Sequence, residues 1–146
     1  LVIADHVLFY CEDIPQVLAE CRRVLKNGGR FLCSTYGKQH MREITDLVQQ
    51  FHKEIVLSAE VLYERFGLEN GENLLAPYFS EIQMRRYEDA IEIAEAEPLI
   101  SYILSCHGNQ NQLLLNQYKE FREFVSARVA DGFHITKDAG IFLCRK

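Results

Sequence analysis

Two apolar segments flank an amphipathic helix pattern that ends in a glycine pair, all within residues 1–37, and this constrains the fold more than any other feature of the chain. LVIADHVLFY (1–10) is apolar at nearly every position, the pattern of a strand shielded on both faces. In the CEDIPQ that follows, Asp13 is placed to cap a helix, Gln16 sits where a capping box wants it and Pro15 suits a first turn. Val17, Leu18, Cys21, Val24 and Leu25 then recur at the spacing of one helix face. Lys26 suits the last turn, and Asn27, Gly28 and Gly29 end the helix. RFLCSTYG reads as a second strand. A strand–helix–strand unit this short makes the strands parallel and the crossover right-handed, which is half of a doubly wound α/β sheet.

The remainder alternates more loosely. HMREITDLVQQFHKEI predicts a helix with Met41, Ile44, Leu47, Val48 and Phe51 on its buried side. Ser58 is placed to cap a short helix AEVLYERF, and GLENGENLLAPYF contains one helical turn. SEIQMRRYEDAIEIA reads as an antiparallel strand broken near Glu88 and Asp89. Pro98 starts the helix PLISYILSC. QLLLNQYKEFREFVSARVADG reads as one long helix closed by Gly132, and FHITKDAGIFLCRK as strand on either side of a KDAG turn. The expected organisation is therefore one α/β domain over 1–146. Residues 1–37 form strand–helix–strand, 38–79 and 98–131 are helical additions, and 80–94 and 133–146 are closing strands.

Bulk composition excludes several classes. No apolar run reaches membrane-span length, and Asp5, Glu12 and Asp13 interrupt the N-terminal segment, so neither a membrane span nor a signal peptide is expected and a cytoplasmic location is the default. The formal charge is −5, and the densest basic cluster along the sequence is Arg22, Arg23 and Lys26. A basic face for nucleic acid is therefore not expected. The cysteines, five in number, are widely spaced without a CxxC, which points to reduced core thiols and to no metal site. Cys106 beside His107 lacks the further ligands a metal would need.

ADHVLFYCEDIPQVLAECRRVLKNGGRFLCSTYG resembles the second half of a class I S-adenosylmethionine-dependent methyltransferase, whose helix end "RVLKPGG" is here RVLKNGG, with Asn27 in the proline position. LENGENLLAPYFSEIQMRRYEDAIEIAEAEPLISYILS is similar to the "LENG…yF" region of bacterial members, and GFHITKDAGIFLCRK to their closing strands. The resemblance implies a partial Rossmann-like sheet made of the fourth, fifth, seventh and sixth family strands, in that order, with the seventh antiparallel. It also implies that the family's first three strands, its glycine-rich loop and its ribose-holding acidic residue fall outside these residues. No GxGxxG or GxGxG occurs in the 146 residues. The expectation is thus a C-terminal half of the domain, a fragment of something longer, inactive alone.

For function, the resemblance implies S-adenosylmethionine as cofactor, with Ala4, Asp5 and His6 touching it at the carboxyl end of the first strand. His6 and Tyr10 would face a small-molecule acceptor, His6 as general base. The switch-point rule independently puts the ligand crevice at these strand ends. Thr35, Tyr36, Gly37 and His40 would wall the substrate side or simply cap the next helix. Tyr63, Phe66, Tyr78, Phe79 and Tyr102 give the helical additions aromatic character, which is more often core than acceptor pocket. An exposed first strand would pair with a second copy, so a homodimer is expected and a monodisperse monomer at micromolar concentration would contradict it. The competing reading is a non-catalytic dimerising or partner-binding module derived from the same fold.

Overall fold

A computed structural model describes residues 1–58 and 61–146. Four strands form one open sheet in the order β1 (Val2–Ala4), β2 (Arg30–Tyr36), β4 (Phe133–Arg145), β3 (Ser80–Ile93). β1 runs parallel to β2 with Ala4 opposite Cys33, and β2 runs antiparallel to β4 with Cys33 opposite Phe142. This is the mixed α/β sheet, with the order and the antiparallel strand, that the sequence implied.

The described residues fall into two compact units. The first comprises Leu1–His40, Val61–Glu88 and Asp138–Lys146. Its core lies on one face of the sheet. Phe31 and Cys33 of β2 and Phe142 and Cys144 of β4 meet Ile14, Leu18 and Leu25 of the first helical segment, together with Leu8, Phe9, Phe66, Leu75 and Phe79. That helix, α1 (Ile14–Val24), starts as the sequence requires: Asp13 Oδ1 accepts the Gln16 N–H at 2.9 Å. Gly28, just beyond the helix, has φ +73°, a conformation glycine takes without a Cβ penalty. Burial pushes the Cys33 thiol up, with Cys144 and Cys21 adding to it, and burial carries Cys144 to about 11. Both therefore stay protonated inside the core, while Cys11, Cys21 and Cys106 are only half-buried; all five cysteines are free.

The second unit comprises Met41–Glu60 and Asp89–Lys137. Three helices, α2 (Arg42–Phe51), α5 (Ala96–Ser105) and α7 (Tyr118–Val129), pack Ile44, Leu47, Val48, Leu99, Ile100, Ile103, Phe121, Val125 and Val129 into one cluster. Asn109 ties the segment before α6 (Gln110–Leu114) to residues 54–56, accepting the Val56 N–H at 2.8 Å and donating to the Glu54 carbonyl at 2.8 Å.

Several expectations need correction. The first strand is three residues long, not ten, because His6 turns the chain with φ +47° and Leu8–Tyr10 forms a 3-10 turn that buries Leu8 and Phe9. Nor is β1 shielded on both faces: Ile3 is 63% exposed. On α1 the buried positions are Ile14 and Leu18, with Leu25 just past its end, whereas Val24 faces solvent. The break expected near Glu88 and Asp89 and the turn expected at KDAG do not exist; β3 and β4 run through both, their charged side chains exposed or paired. Helix α5 begins two residues ahead of Pro98, which sits in the first turn where its missing N–H costs nothing. The long C-terminal helix is two, α6 and α7, because Gln117 leaves helical geometry with ψ 15° and φ −125°. Residues 59 and 60 of the expected AEVLYERF helix lie outside the described residues, and the helix seen there is α3 (Leu62–Arg65). One further turn, α4 (Gly71–Leu75), lies in LENGENLL as expected. Among the described residues, no helix is long and apolar enough to cross a membrane.

Candidate functional site

The parallel register places the residue after Ala4 beside Ser34, and a small polar network forms there. The Ser34 hydroxyl accepts the His6 backbone N–H at 3.0 Å and donates to an Asp5 carboxylate oxygen. One hydroxyl thus fixes both residues that follow β1, and it holds His6 in its left-handed conformation where a side chain would otherwise be strained. Ala4 is buried and Asp5 exposed.

The His6 ring lies on the Tyr36 ring at 4.4 Å, and the Tyr36 ring stacks in turn on His40 at 4.2 Å. Phe9 stacks on Tyr36 at 5.6 Å. Burial raises the Tyr36 phenol, with Tyr10 and Asp5 contributing, so the phenol remains a hydrogen-bond donor. The Nδ1 atom of His6 is buried and has no hydrogen-bond partner among the described residues. A polar atom left in this state costs free energy unless a bound group satisfies it.

The loop after β2 is pinned from below. Asp138 on β4 is only 5% exposed; one oxygen accepts the Gln39 N–H at 3.0 Å and the other pairs with Arg86 Nε at 3.0 Å. Arg86 also reaches Glu69 at 3.0 Å, and Glu69 accepts the Lys38 N–H at 3.2 Å. Gly37 donates to the Asp138 carbonyl at 2.9 Å, and a Cβ on it would lie 2.1 Å from Asp138 Oδ2, so glycine is required by the close approach. Thr35 is fully buried and donates to the Phe66 carbonyl at 2.5 Å, which anchors the strand end from the core side.

The residues singled out in the sequence are thus distributed unevenly. Asp5, His6, Tyr36, Gly37 and His40 lie at one sheet end; Ala4 packs in the core beneath them. Thr35 points into the core and is not a substrate wall. Tyr10 is 64% exposed and meets Phe9 edge-on at 4.7 Å; the ring neighbours of His6 are Phe9 and Tyr36. Sequence reasoning missed Ser34 and the Asp138–Arg86–Glu69 network. Ser34 was within reach of a register argument, since parallel pairing at Ala4–Cys33 puts it beside Asp5. The network joins residues from three distant segments and left no local signal.

Asp5, His6 and Tyr36 offer an exposed carboxylate, an unsatisfied ring nitrogen and a phenol donor around one aromatic surface. These groups lie together at the sheet end and can offer hydrogen bonds to a polar ligand. The glycine loop that would approach such a ligand from the other side has no counterpart in the sequence.

Parts of the chain are similar to known proteins. The profile of the family described as "Methyltransferase domain" matches residues 1–33. The malonyl-[acyl-carrier protein] O-methyltransferase of Nitrosospira multiformis is 41% identical over 44 residues, 30% of this chain and 14% of that protein. The protein of the same name from Hamiltonella defensa is 27% identical over 84 residues, 58% of this chain and 31% of its own length. The matched segments thus span less than a third of either relative. Two structures of Haemonchus contortus phosphoethanolamine N-methyltransferase 2 align with 99% of this chain and 32% of theirs. One, with S-adenosyl-L-methionine, is 17% identical with TM-score 0.45; the other, with phosphomonomethylethanolamine and S-adenosylhomocysteine, is 15% identical with TM-score 0.44.

Proposed function

From a chain that resembles class I S-adenosylmethionine-dependent methyltransferases, we propose that residues 1–146 are the C-terminal half of such a domain and supply one wall of its cofactor and acceptor site. The observation that carries this reading is the buried, unpartnered Nδ1 of His6 at the carboxyl end of β1. Open α/β sheets bind ligands at that end of the strands.

Asp5 and His6 would face the cofactor, held at fixed spacing by the Ser34 hydroxyl. S-adenosylmethionine, when bound, supplies a methyl group on a sulfonium centre, a leaving group good enough that positioning dominates the chemistry. The names of both curated relatives favour a carboxylate oxygen as the acceptor. Toward a carboxylate His6 acts as a hydrogen-bond donor that orients it; toward a hydroxyl it would take the proton. Tyr36 donates from its neutral phenol, and Tyr10 lies at the open rim. The chain by itself is proposed to be inactive, because nothing in it replaces the glycine loop.

Titration with S-adenosylhomocysteine, followed by amide chemical shifts, tests the reading. Shifts at millimolar ligand confined to residues 4–6 and 34–40, with flat calorimetry at micromolar ligand, are expected. His6→Ala should abolish them. No shift at any concentration would favour the non-catalytic module, and micromolar heats would refute the inactive-alone half of the proposal.

A further inference from the structure

The sequence holds two Asn–Gly pairs, Asn27–Gly28 and Asn70–Gly71, and the fold treats them oppositely. In such a pair the asparagine amide is open to attack by the next backbone nitrogen, because glycine has no Cβ to shield it. Both pairs lie in the first unit. At Asn70 the two reacting groups are committed. Its Oδ1 accepts the Gly67 N–H at 2.7 Å, and its Nδ2 donates to the Glu64 carbonyl at 2.8 Å. The Gly71 N–H donates to the Gly67 carbonyl at 2.8 Å. Gly71 is buried so close to Phe142 that a Cβ would lie 2.6 Å from its ring.

At Asn27 neither group is held. Asn27 and Gly28 are the exposed central residues of the turn between α1 and β2, which the Gly29 N–H closes by donating to the Lys26 carbonyl at 2.8 Å. Gly28 has φ +73°, a value some turns require at their third residue and glycine supplies. Among the described residues, nothing accepts from the Gly28 N–H and nothing bonds the Asn27 side-chain amide. The Arg145 guanidinium lies beside this glycine, with Nη2 3.8 Å from where a Cβ would stand. A neighbouring cation favours both the deprotonated nitrogen and the oxyanion through which an attack on the amide passes. Proline at position 27 would carry no side-chain amide, so the asparagine of RVLKNGG is what creates the pair.

We propose that Asn27 is a modification site, converted spontaneously by water to aspartate and isoaspartate, while the fold protects Asn70. The Gly28 nitrogen gives up its proton to solvent base and attacks Asn27 Cγ. A new C–N bond forms, the side-chain amide C–N bond breaks and ammonia leaves with a proton returned by solvent, closing a succinimide. Water then opens the ring. Attack at Cγ leaves aspartate; attack at the backbone carbonyl leaves isoaspartate, whose main chain runs through an added methylene. Either product carries one more negative charge than asparagine. The charge arises in the turn that Arg145 flanks, where Arg145 already pairs with Glu81 at 3.2 Å. The same turn is tied to the chain end, because the Gly29 carbonyl accepts the Lys146 N–H at 2.9 Å. It precedes β2, at the end of that strand away from Tyr36, and the inference does not rest on the cofactor reading.

The test is peptide mapping by mass spectrometry after the whole chain is incubated in mildly alkaline buffer, with pepsin digestion in acid to halt conversion. A guanidinium-unfolded sample is incubated in parallel. Unfolded, the two asparagines should convert at similar rates. Folded, Asn27 should stay close to its unfolded rate, while Asn70 should slow by about tenfold or more, because holding reacting groups out of line costs at least that much. Isoaspartate and aspartate should both appear at residue 27. Asn27→Gln, which would have to close a six-membered ring, should remove the product, and circular dichroism establishes that this variant folds. The comparison of folded with unfolded chain gives the same answer without a variant. Equal rates at the two sites in the folded chain, protection of Asn27 as strong as that of Asn70, or aspartate at residue 27 without isoaspartate would each overturn the proposal.

Discussion

The two units solve the same burial problem with different side chains. The first packs five phenylalanines, Phe9, Phe31, Phe66, Phe79 and Phe142, around the sheet, with Phe31 on Phe79 at 4.9 Å and Phe66 on Phe142 at 6.0 Å. The second fully buries one phenylalanine, Phe121, among isoleucine, leucine and valine from its helices, with half-buried Phe51 edge-on to it at 5.2 Å and Phe124 beside Phe51 at the margin. Branched aliphatics fill the ridges and grooves between helices, while flat rings cover pleated strands with few residues. The rings have a second consequence in the first unit: Phe9, Tyr36, His6 and His40 continue the aromatic packing to the sheet end, carrying polar atoms with them. The match to the methyltransferase family falls wholly in this first unit.

The largest effect that would break this contrast is loss of a sheet-face ring. Phe142→Ala should cost about 5 kcal/mol, while Phe121→Ala in the aliphatic core should cost about 3 kcal/mol. Urea denaturation of each variant measures both. Equal costs would mean that the two cores do not differ in how specifically they are packed.

Next in size is Asp138→Asn. It removes a buried charge paired with Arg86 while keeping the shape, and should cost about 2–3 kcal/mol. If Asp138 positions the loop rather than merely stabilising the fold, the ring resonances of His40 and His6 will also lose the shifts that Tyr36 stacking imposes. A variant equally destabilised with those shifts unchanged would sever the network from the site.

What could be read from sequence follows the range of the interactions involved. The α1 cap at Asp13, the glycine at 28, strand β2 and the parallel β1–β2 pairing are set within 37 residues, and they stand. The length of β1 and the continuity of β3 and β4 were misread because tertiary partners overrode local signals. Asp138 looked like a turn residue until Arg86 and the Gln39 N–H claimed its carboxylate, and the apolar run after Ala4 looked like strand until Ser34 bent it away. Of the site, His6, Tyr36 and His40 were nameable from position alone. Their stacking and the orphaned nitrogen depend on residues far apart in the chain.

A smaller effect tests one of those local readings. Asp13→Ala should cost about 1 kcal/mol through the lost cap on α1. The loss should appear as faster amide exchange at Gln16 and Val17, with the second unit unaffected. Slower exchange there, or an unchanged urea midpoint, would mean that Pro15 and core packing fix the helix start without the cap.

The smallest effect is a pH dependence confined to the second unit. Burial pushes the Glu43 carboxyl up, but it is outweighed by hydrogen bonds from the Thr136 hydroxyl at 2.6 Å and the Thr136 N–H at 3.0 Å, with its own N–H and Arg42 adding to them. The net result holds Glu43 below its ordinary value of 4.5. A carboxyl depressed by folding contributes stability that is fully present above the unfolded value and fades as pH falls through the folded one. The urea midpoint of the second unit should therefore drop as pH is lowered below the ordinary carboxyl value of 4.5. Glu43→Gln should be less stable at neutral pH and show a flatter acid limb, because an amide cannot ionise. If the variant keeps the full acid slope, other carboxylates carry it. The Thr136 contact would then be a hydrogen bond of the folded state with no preference for the charged form.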